Sequence, residues 1–214
     1  MASDRHEAGT AGEAPDVIRW RLHATPCGVL RLGAFGGRLC LCDWADVPAR
    51  DFVVRRLERG LHVRFAEWPN ERLRPGTGLP GIPAEPESNF PDNPDDADRC
   101  VLDRAVRQLD EYFAAQRRVF DVPLLTVGTP FQRAVWELLT EIPFGGTRSY
   151  AWLAAQLGHP RAVRAVAAAN RANALSIFIP CHRVVGSDGS LTGYAGGLAA
   201  KRLLLGLEQQ QLLR

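Results

Sequence analysis

From Pro69 to Asp98 prolines and glycines recur too often for a helix or a central strand, and Glu85 to Asp98 holds six acids with no basic residue. Proline removes a backbone donor and glycine costs conformational entropy inside an element, so such a stretch cannot run through a packed core. It reads as a long exposed acidic loop over residues 69–98. The chain must then build its cores from the segments on either side. With 214 residues it has room for one large domain or two small ones.

Before this loop the pattern is β-like. Val29, Leu30, Leu32 and Phe35 lead into Gly36-Gly37, and Leu39, Leu41 and Trp44 follow, which predicts a hairpin. Phe52, Val53 and Leu57 have helical spacing within Asp51–Arg59, and His62 to Phe65 suits a further strand. After the loop the period lengthens. Val101, Leu102, Ala105, Val106, Leu109, Tyr112 and Phe113 mark an amphipathic helix ending near Arg117. Thr129 or Gly128 caps a second helix with Pro130 at its first position. Ser149–Leu157, Gly158 and Pro160–Asn170 read as helix, tight turn and helix, and the last helix spans about Leu198 to Gln210 with Leu203, Leu204 and Leu207 inward. Residues 1–15 read as a disordered polar tail.

Five cysteines, an odd and scattered set, are no disulfide framework. No apolar run reaches membrane-spanning length and the first residues lack a signal-peptide pattern, so a cytoplasmic protein without membrane contact is expected. The net charge is +2, unevenly placed: Thr129 onward carries nine basic against four acidic residues, while the first 128 residues carry seventeen against twenty. The later half therefore suits a polyanion. His23, Cys27, Cys40 and Cys42 match no zinc spacing, and Cys40 and Cys42 are expected to share one strand face as packed thiols; no metal is expected.

The chemistry-bearing segment is Ile177-Phe178-Ile179-Pro180-Cys181-His182-Arg183-Val184. A thiol reacts as the thiolate, and a neighbouring base generates it near neutral pH, so a cysteine beside a histidine at the exit of a buried strand-like segment is a candidate nucleophile. Taken alone, a Cys-His pair is more often a packed thiol beside a surface histidine.

The flanks resemble the O6-alkylguanine-DNA alkyltransferases, the methylated-DNA–protein-cysteine methyltransferases. The resemblance runs through Gly128-Thr129-Pro130-Phe131-Gln132-Arg133, Val135-Trp136, Ile142-Pro143-Phe144-Gly145 and Ser149-Tyr150. It continues over Arg164-Ala165-Val166, Ala169-Asn170, Asn173, Pro180 to Val185, Gly193-Tyr194-Ala195-Gly196-Gly197, Lys201, Leu204 and Glu208. It implies an N-terminal α/β domain with a ribonuclease-H-like sheet over residues 16–123. A mostly helical domain with a helix-turn-helix would follow over 124–214. It further implies duplex DNA carrying O6-alkylguanine as the partner, no cofactor, a monomer, and base flipping followed by one irreversible alkyl transfer to the cysteine.

Position by position, the resemblance makes Cys181 the acceptor, His182 the residue that draws off its proton, and Glu208 the carboxylate that orients the histidine. Asn173 would tie the turns around the cysteine. Tyr150 would help rotate the lesion and donate near the base, and Arg164 would take the flipped base's place in the stack. Ala165 and Arg171 would join the DNA contacts. Val184 would line the pocket, Tyr194 and Gly196 belong to the loop over it, and Lys201 would donate from its far side. Ala174 stands where the family has proline and Ala167 where it has glycine, departures that bear on affinity and speed. O4-alkylthymine is an expected second substrate. The alternatives are a lesion-binding or helix-turn-helix regulatory protein without transfer, which Cys181 argues against, and a Cys-His hydrolase, which would leave the Arg164 helix unexplained.

Overall fold

The computed structural model describes residues 17–67 and 94–213. The expected tail over 1–15 and most of the expected acidic loop lie outside them. The first strands form the predicted hairpin. β1 (Val17–Thr25), β2 (Gly28–Phe35) and β3 (Arg38–Trp44) run antiparallel in sequence. Phe35 pairs Arg38 across Gly36 and Gly37, whose φ of 57° and 69° are values only glycine adopts cheaply, as this two-residue turn requires.

Helix α1 (Asp51–Leu61) then carries the chain over to β4 (Arg64–Glu67), which lies parallel to β1 and gives the sheet order β3-β2-β1-β4. His62, expected in that strand, instead ends α1 in a left-handed conformation. Val53 and Leu57 of α1 pack with Ile18, Cys40 and Leu41, while Leu30, Leu32, Ala34 and Cys42 pack with α2 (Pro94–Phe113).

The division of the strand's side chains corrects one expectation. A register shift at Gly33/Ala34 leaves Cys40 unpaired in the ladder, so Cys40 and Leu41 both enter the α1 cluster and Cys42 enters the other. The two thiols do not share a face, and among the described residues no His, Cys, Asp or Glu cluster could hold a metal ion.

Helix α2 begins seven residues before Val101, inside the segment read as loop, and stops at Phe113 rather than near Arg117. Its start makes physical sense. A proline is tolerated at a helix start, where backbone N–H groups have no partner in the helix. Asp98 is buried and accepts from the Gly37 N–H at 2.7 Å, which fastens the hairpin turn to the helix.

The remaining elements are α3 (Pro130–Thr140), β5 (Arg148–Ser149), α4 (Tyr150–Gln156), α5 (Val163–Arg171), a 3-10 turn at Cys181–Arg183, β6 (Val184–Val185) and α6 (Gly197–Leu212). Thr129, not Gly128, caps α3 and completes a capping box with Gln132. Helix α5 starts three residues after Pro160. On α6 the inward face is Leu204 and Leu205; Leu203, expected inward, is exposed.

β3 is the edge of the four-stranded sheet, yet its outer side is covered by two segments from later in the chain. The Leu39 N–H donates to Pro123 and the Leu125 N–H to Leu39, each at 2.8 Å. Farther along, Cys42 donates to Ala174 at 2.7 Å and accepts from the Ser176 N–H at 2.8 Å. An edge that would otherwise invite foreign strands therefore carries the backbone leading into Cys181.

Candidate active site around Cys181

The approach to Cys181 is a tight turn, not the strand that three apolar residues suggested. Ile179 donates to Leu175 at 2.8 Å, and Ile177 sits at φ 74°, an unfavourable value for a β-branched residue. Burial accounts for the apolar run: Ile177, Phe178 and Ile179 fill the core under the turn. Asn173 closes it. Its Oδ1 accepts from the Leu175 N–H at 3.0 Å and its Nδ2 donates to the Ile179 carbonyl at 2.9 Å. Asn173 thus joins the start of the turn to its end. Ala174, where proline was expected, offers its carbonyl to Cys42, a bond that either residue could make.

Cys181 opens the 3-10 turn and is 3% exposed; His182 and Glu208 are 0% exposed. Glu208, from the fourth turn of α6, accepts five hydrogen bonds. His182 Nε2 lies 2.9 Å from Oε1, and Tyr112 from α2 donates to the same oxygen at 2.9 Å. The Arg183 guanidinium reaches both oxygens at 2.9 Å, and the Gly145 N–H donates to Oε2 at 2.9 Å. Burial alone would raise this carboxyl, but the hydrogen bonds of His182 and Arg183 and the Arg183 charge outweigh it and hold the group at about 2. An ionised Glu208 takes the proton-bearing Nε2 of the imidazole, which leaves Nδ1 as the acceptor. Nδ1 is buried and has no hydrogen-bond partner in the protein.

The thiol itself is pushed up by burial, with a smaller push from the Asp43 charge, an effect that the Asn173 hydrogen bond and the Arg50 and Lys201 charges offset in part. His182 is pushed down, chiefly by burial and against the pull of Glu208, so the imidazole is neutral at physiological pH. A neutral thiol beside a neutral imidazole is the resting state in which proton removal can accompany attack.

Lys201 is buried, with Nζ donating to the Val184 carbonyl at 2.5 Å and to the Thr192 carbonyl at 2.7 Å; burial lowers it to about 8. It joins the strand after the thiol to the 192–197 loop. Tyr194 of that loop lies edge-on to His182 with ring centroids 6.4 Å apart. Tyr150 opens α4, half-buried, with burial raising its phenol against hydrogen bonds to Thr192 and Asn170. Cys181, His182, Glu208, Asn173, Val184, Lys201, Tyr194 and Tyr150 thus gather around one centre. Arg164, Ala165 and Arg171 do not; they lie exposed along the outer side of α5.

Several participants carried no assigned role in the sequence. Arg183 is buried, with Nη1 on the Ile142 carbonyl at 2.7 Å and its plane over Phe144. Tyr112 looked like one more apolar position on a helix. Arg50 is buried against Asp43 at 2.8 Å, and its other donors reach the carbonyls of Arg171 and Asn173, so the end of α5 and the Asn173 turn hang on a cation from before α1. Arg56 adds a bond to the Ala172 carbonyl at 2.7 Å. Only Arg183 had a sequence signal, its place inside the Cys-His motif.

A buried thiol with a carboxylate-oriented imidazole, set beside a helix bearing solvent-facing arginines, defines a nucleophilic transfer site next to a polyanion-binding surface. Residues 130–210 match the family model for the 6-O-methylguanine DNA methyltransferase, DNA binding domain. A methylated-DNA–protein-cysteine methyltransferase of Methanosarcina barkeri is 54% identical over 108 residues, which span 50% of this chain and 68% of that one. The constitutive enzyme of that name from Bacillus subtilis is 53% identical over 109 residues, 50% of this chain and 66% of that one. The crystal structure of Mycobacterium tuberculosis OGT in complex with DNA superposes with a TM-score of 0.66 at 34% identity, over 90% of this chain and 94% of that one. The chain belongs to the methylated-DNA–protein-cysteine methyltransferase family.

Proposed function

We propose that the chain repairs alkylated DNA by direct reversal, moving the alkyl group of O6-alkylguanine irreversibly to Cys181. The observation that carries this reading is the burial of Cys181 beside an imidazole whose Nε2 is committed to Glu208. Such a thiol is reached only by a group inserted into the protein, and a nucleotide rotated out of the stack is inserted in that way.

The step is a displacement at carbon. The Cys181 proton passes to His182 Nδ1, directly or through water. The sulfur pair forms the S–C bond while the C–O6 bond breaks, and guanine leaves with the electron pair and regains a proton. No electron is gained or lost overall, so no redox partner is needed. Charge developing on the leaving base requires a nearby donor, the role this reading gives to Tyr150 and Lys201. The thioether formed has no route back to a thiol, which limits each molecule to one turnover.

The finer assignments belong to the same reading. Residues 16–123 form an α/β domain with a ribonuclease-H-like sheet and residues 124–214 a mostly helical reactive domain. Helices α4 and α5 act as a helix-turn-helix on duplex DNA, and Arg164 fills the space of the flipped base, where a planar cation stacks well. O4-alkylthymine is a second substrate, and the protein works as a cytoplasmic monomer. Among the described residues no helix is long and apolar enough to cross a membrane.

The test is to incubate the protein with duplex DNA containing O6-methylguanine and weigh the tryptic peptide 172–183. A gain of one methylene unit on Cys181, saturating near one per molecule, is the expected result. An unmodified peptide despite tight lesion binding would replace transfer with a lesion-binding role.

A further inference from the structure

Trp44 ends β3, lies outside the motifs that carry the family resemblance, and is 6% exposed. Its indole is wedged between two glycines. A Cβ on Gly28, in the β1–β2 turn, would meet Cζ3 at 3.4 Å, whereas a Cβ on Gly196 would fall 2.3 Å from Cε2. The second distance is impossible for a real side chain, so the indole excludes any larger residue at 196, the position from which α6 starts. The same indole meets Tyr194 edge-on with ring centroids 5.7 Å apart, and Tyr194 meets His182 edge-on. Trp44, Tyr194 and His182 are therefore three rings in succession, the last of them adjacent to the thiol.

Two polar atoms in this row are unused. The Trp44 Nε1–H and the Tyr194 hydroxyl are both buried with no hydrogen-bond partner in the protein. Native interiors hold few such atoms, and buried tryptophan and tyrosine normally find partners. Two such atoms in a row of rings that ends at His182 are left available to the polar edge of a ligand.

Displacement at carbon needs sulfur, carbon and O6 close to one line, with the reacting atoms about 3–3.5 Å apart. A methyl group adds nothing beside that line. A benzyl group must place its ring to one side of it, and on the side of Tyr194 and Gly196 room opens only if what stands behind them yields. Behind Tyr194 and Gly196 stands a rigid indole fixed by Gly28 on its far edge. We propose that Trp44 sets the size of the alkyl group accepted, holding Tyr194 and Gly196 against the Cys181–His182 pair so that methyl is transferred and groups as large as benzyl are disfavoured. Trp44 is a positioning residue, acting through the loop it supports, and the proposal rests on the alkyl-transfer reading above.

The experiment times S-alkylation of peptide 172–183 in the full chain, with duplexes of one sequence carrying either O6-methylguanine or O6-benzylguanine. Trp44→Leu should raise the benzyl-to-methyl rate ratio at least tenfold, and Trp44→Phe at least threefold. Adding Gly196→Ala to Trp44→Leu refills part of the space and should bring the ratio back toward that of the unmodified sequence. A purely structural role would slow both substrates alike and leave the ratio unmoved. An unchanged ratio in both Trp44 variants, with methyl transfer continuing, overturns the proposal. If Trp44→Leu does not fold, an unchanged ratio in Trp44→Phe overturns it by itself. Failure of the unmodified sequence to accept either group would overturn the alkyl-transfer reading instead, a result separable from the first.

Discussion

Two populations of arginine in this chain stand in contrast. Arg183 and Arg50 are buried, and between them their donors hold Glu208, Asp43 and the carbonyls of Ile142, Arg171 and Asn173. Arg161, Arg164 and Arg171 on and before α5 are exposed, and none makes an ion pair among the described residues. Buried guanidinium groups can serve as architecture because a planar fork fixes its partners in direction, and removing one partner strands the other at high cost. The exposed set is free to meet phosphates, where each contributes to affinity but little to folding. One residue type thus fixes the shape of the reaction centre and, in the proposed function, equips the surface that meets DNA.

The comparison breaks most sharply at the nucleophile, which belongs to neither population. Cys181→Ala should abolish transfer, seen as no mass gain on peptide 172–183, while lesion binding by gel shift stays within a few-fold. A binding loss as large as the activity loss would make the thiol a structural element.

Next comes the carboxylate on which the buried set converges. Glu208→Gln keeps the shape but leaves Arg183 buried without a counter-charge. It should lower the free energy of unfolding by about 3 kcal/mol and slow transfer by roughly a hundredfold, measured by denaturant titration and single-turnover kinetics. Acid should act on the same group. Glu208 is held at about 2 in the folded chain against 4.5 for the free side chain, so its contribution is complete above 4.5 and drains away as pH falls toward 2. His182, pushed below its ordinary 6.5, works in the same direction, because the unfolded chain takes up its proton first as pH falls. Stability should therefore drop from about pH 6 downward, and Glu208→Gln should flatten the lower part of that slope.

The exposed set should respond least in stability. Arg164→Ala is expected to change unfolding free energy by less than about 0.5 kcal/mol. It should slow transfer from duplex DNA roughly ten- to a hundredfold, yet leave reaction with the free base nearly unchanged; equal losses on both would remove its stack-filling role. Arg171→Ala should reduce the salt dependence of DNA binding by about one charge in a log–log plot.

The sequence made the reaction centre more legible than the framework that positions it. Cys181, His182 and Glu208 fall at positions that the family resemblance singles out, and the structure sets Glu208 on the histidine that follows the cysteine. The Gly36-Gly37 hairpin was equally plain, because a two-glycine turn between apolar strands has few other uses. What stayed hidden depended on contacts far apart in the chain. Nothing local marks Arg50 as the support of residues more than a hundred positions away, or Tyr112 as a donor to Glu208. The bulge at Cys40 erased the alternation on which a shared thiol face relied. The start of α2 was lost for the opposite reason. Proline and acids suit a first turn by residue type, but inside a Pro-rich acidic run they read equally as loop.

The pairing of β3 with residues 174–176 has a consequence for where this molecule could be divided. The amides of Cys42 and Ser176 are protected by one another's strands, so opening either exposes both to exchange with solvent. The turn that presents the thiol therefore cannot fray while the sheet edge stays intact. A cut that removed the first four strands would leave the Ala174 carbonyl and the Ser176 N–H without these partners, within the three residues that precede the strained Ile177. The reaction centre is in this sense a shared possession of both ends of the chain, and neither end holds it alone.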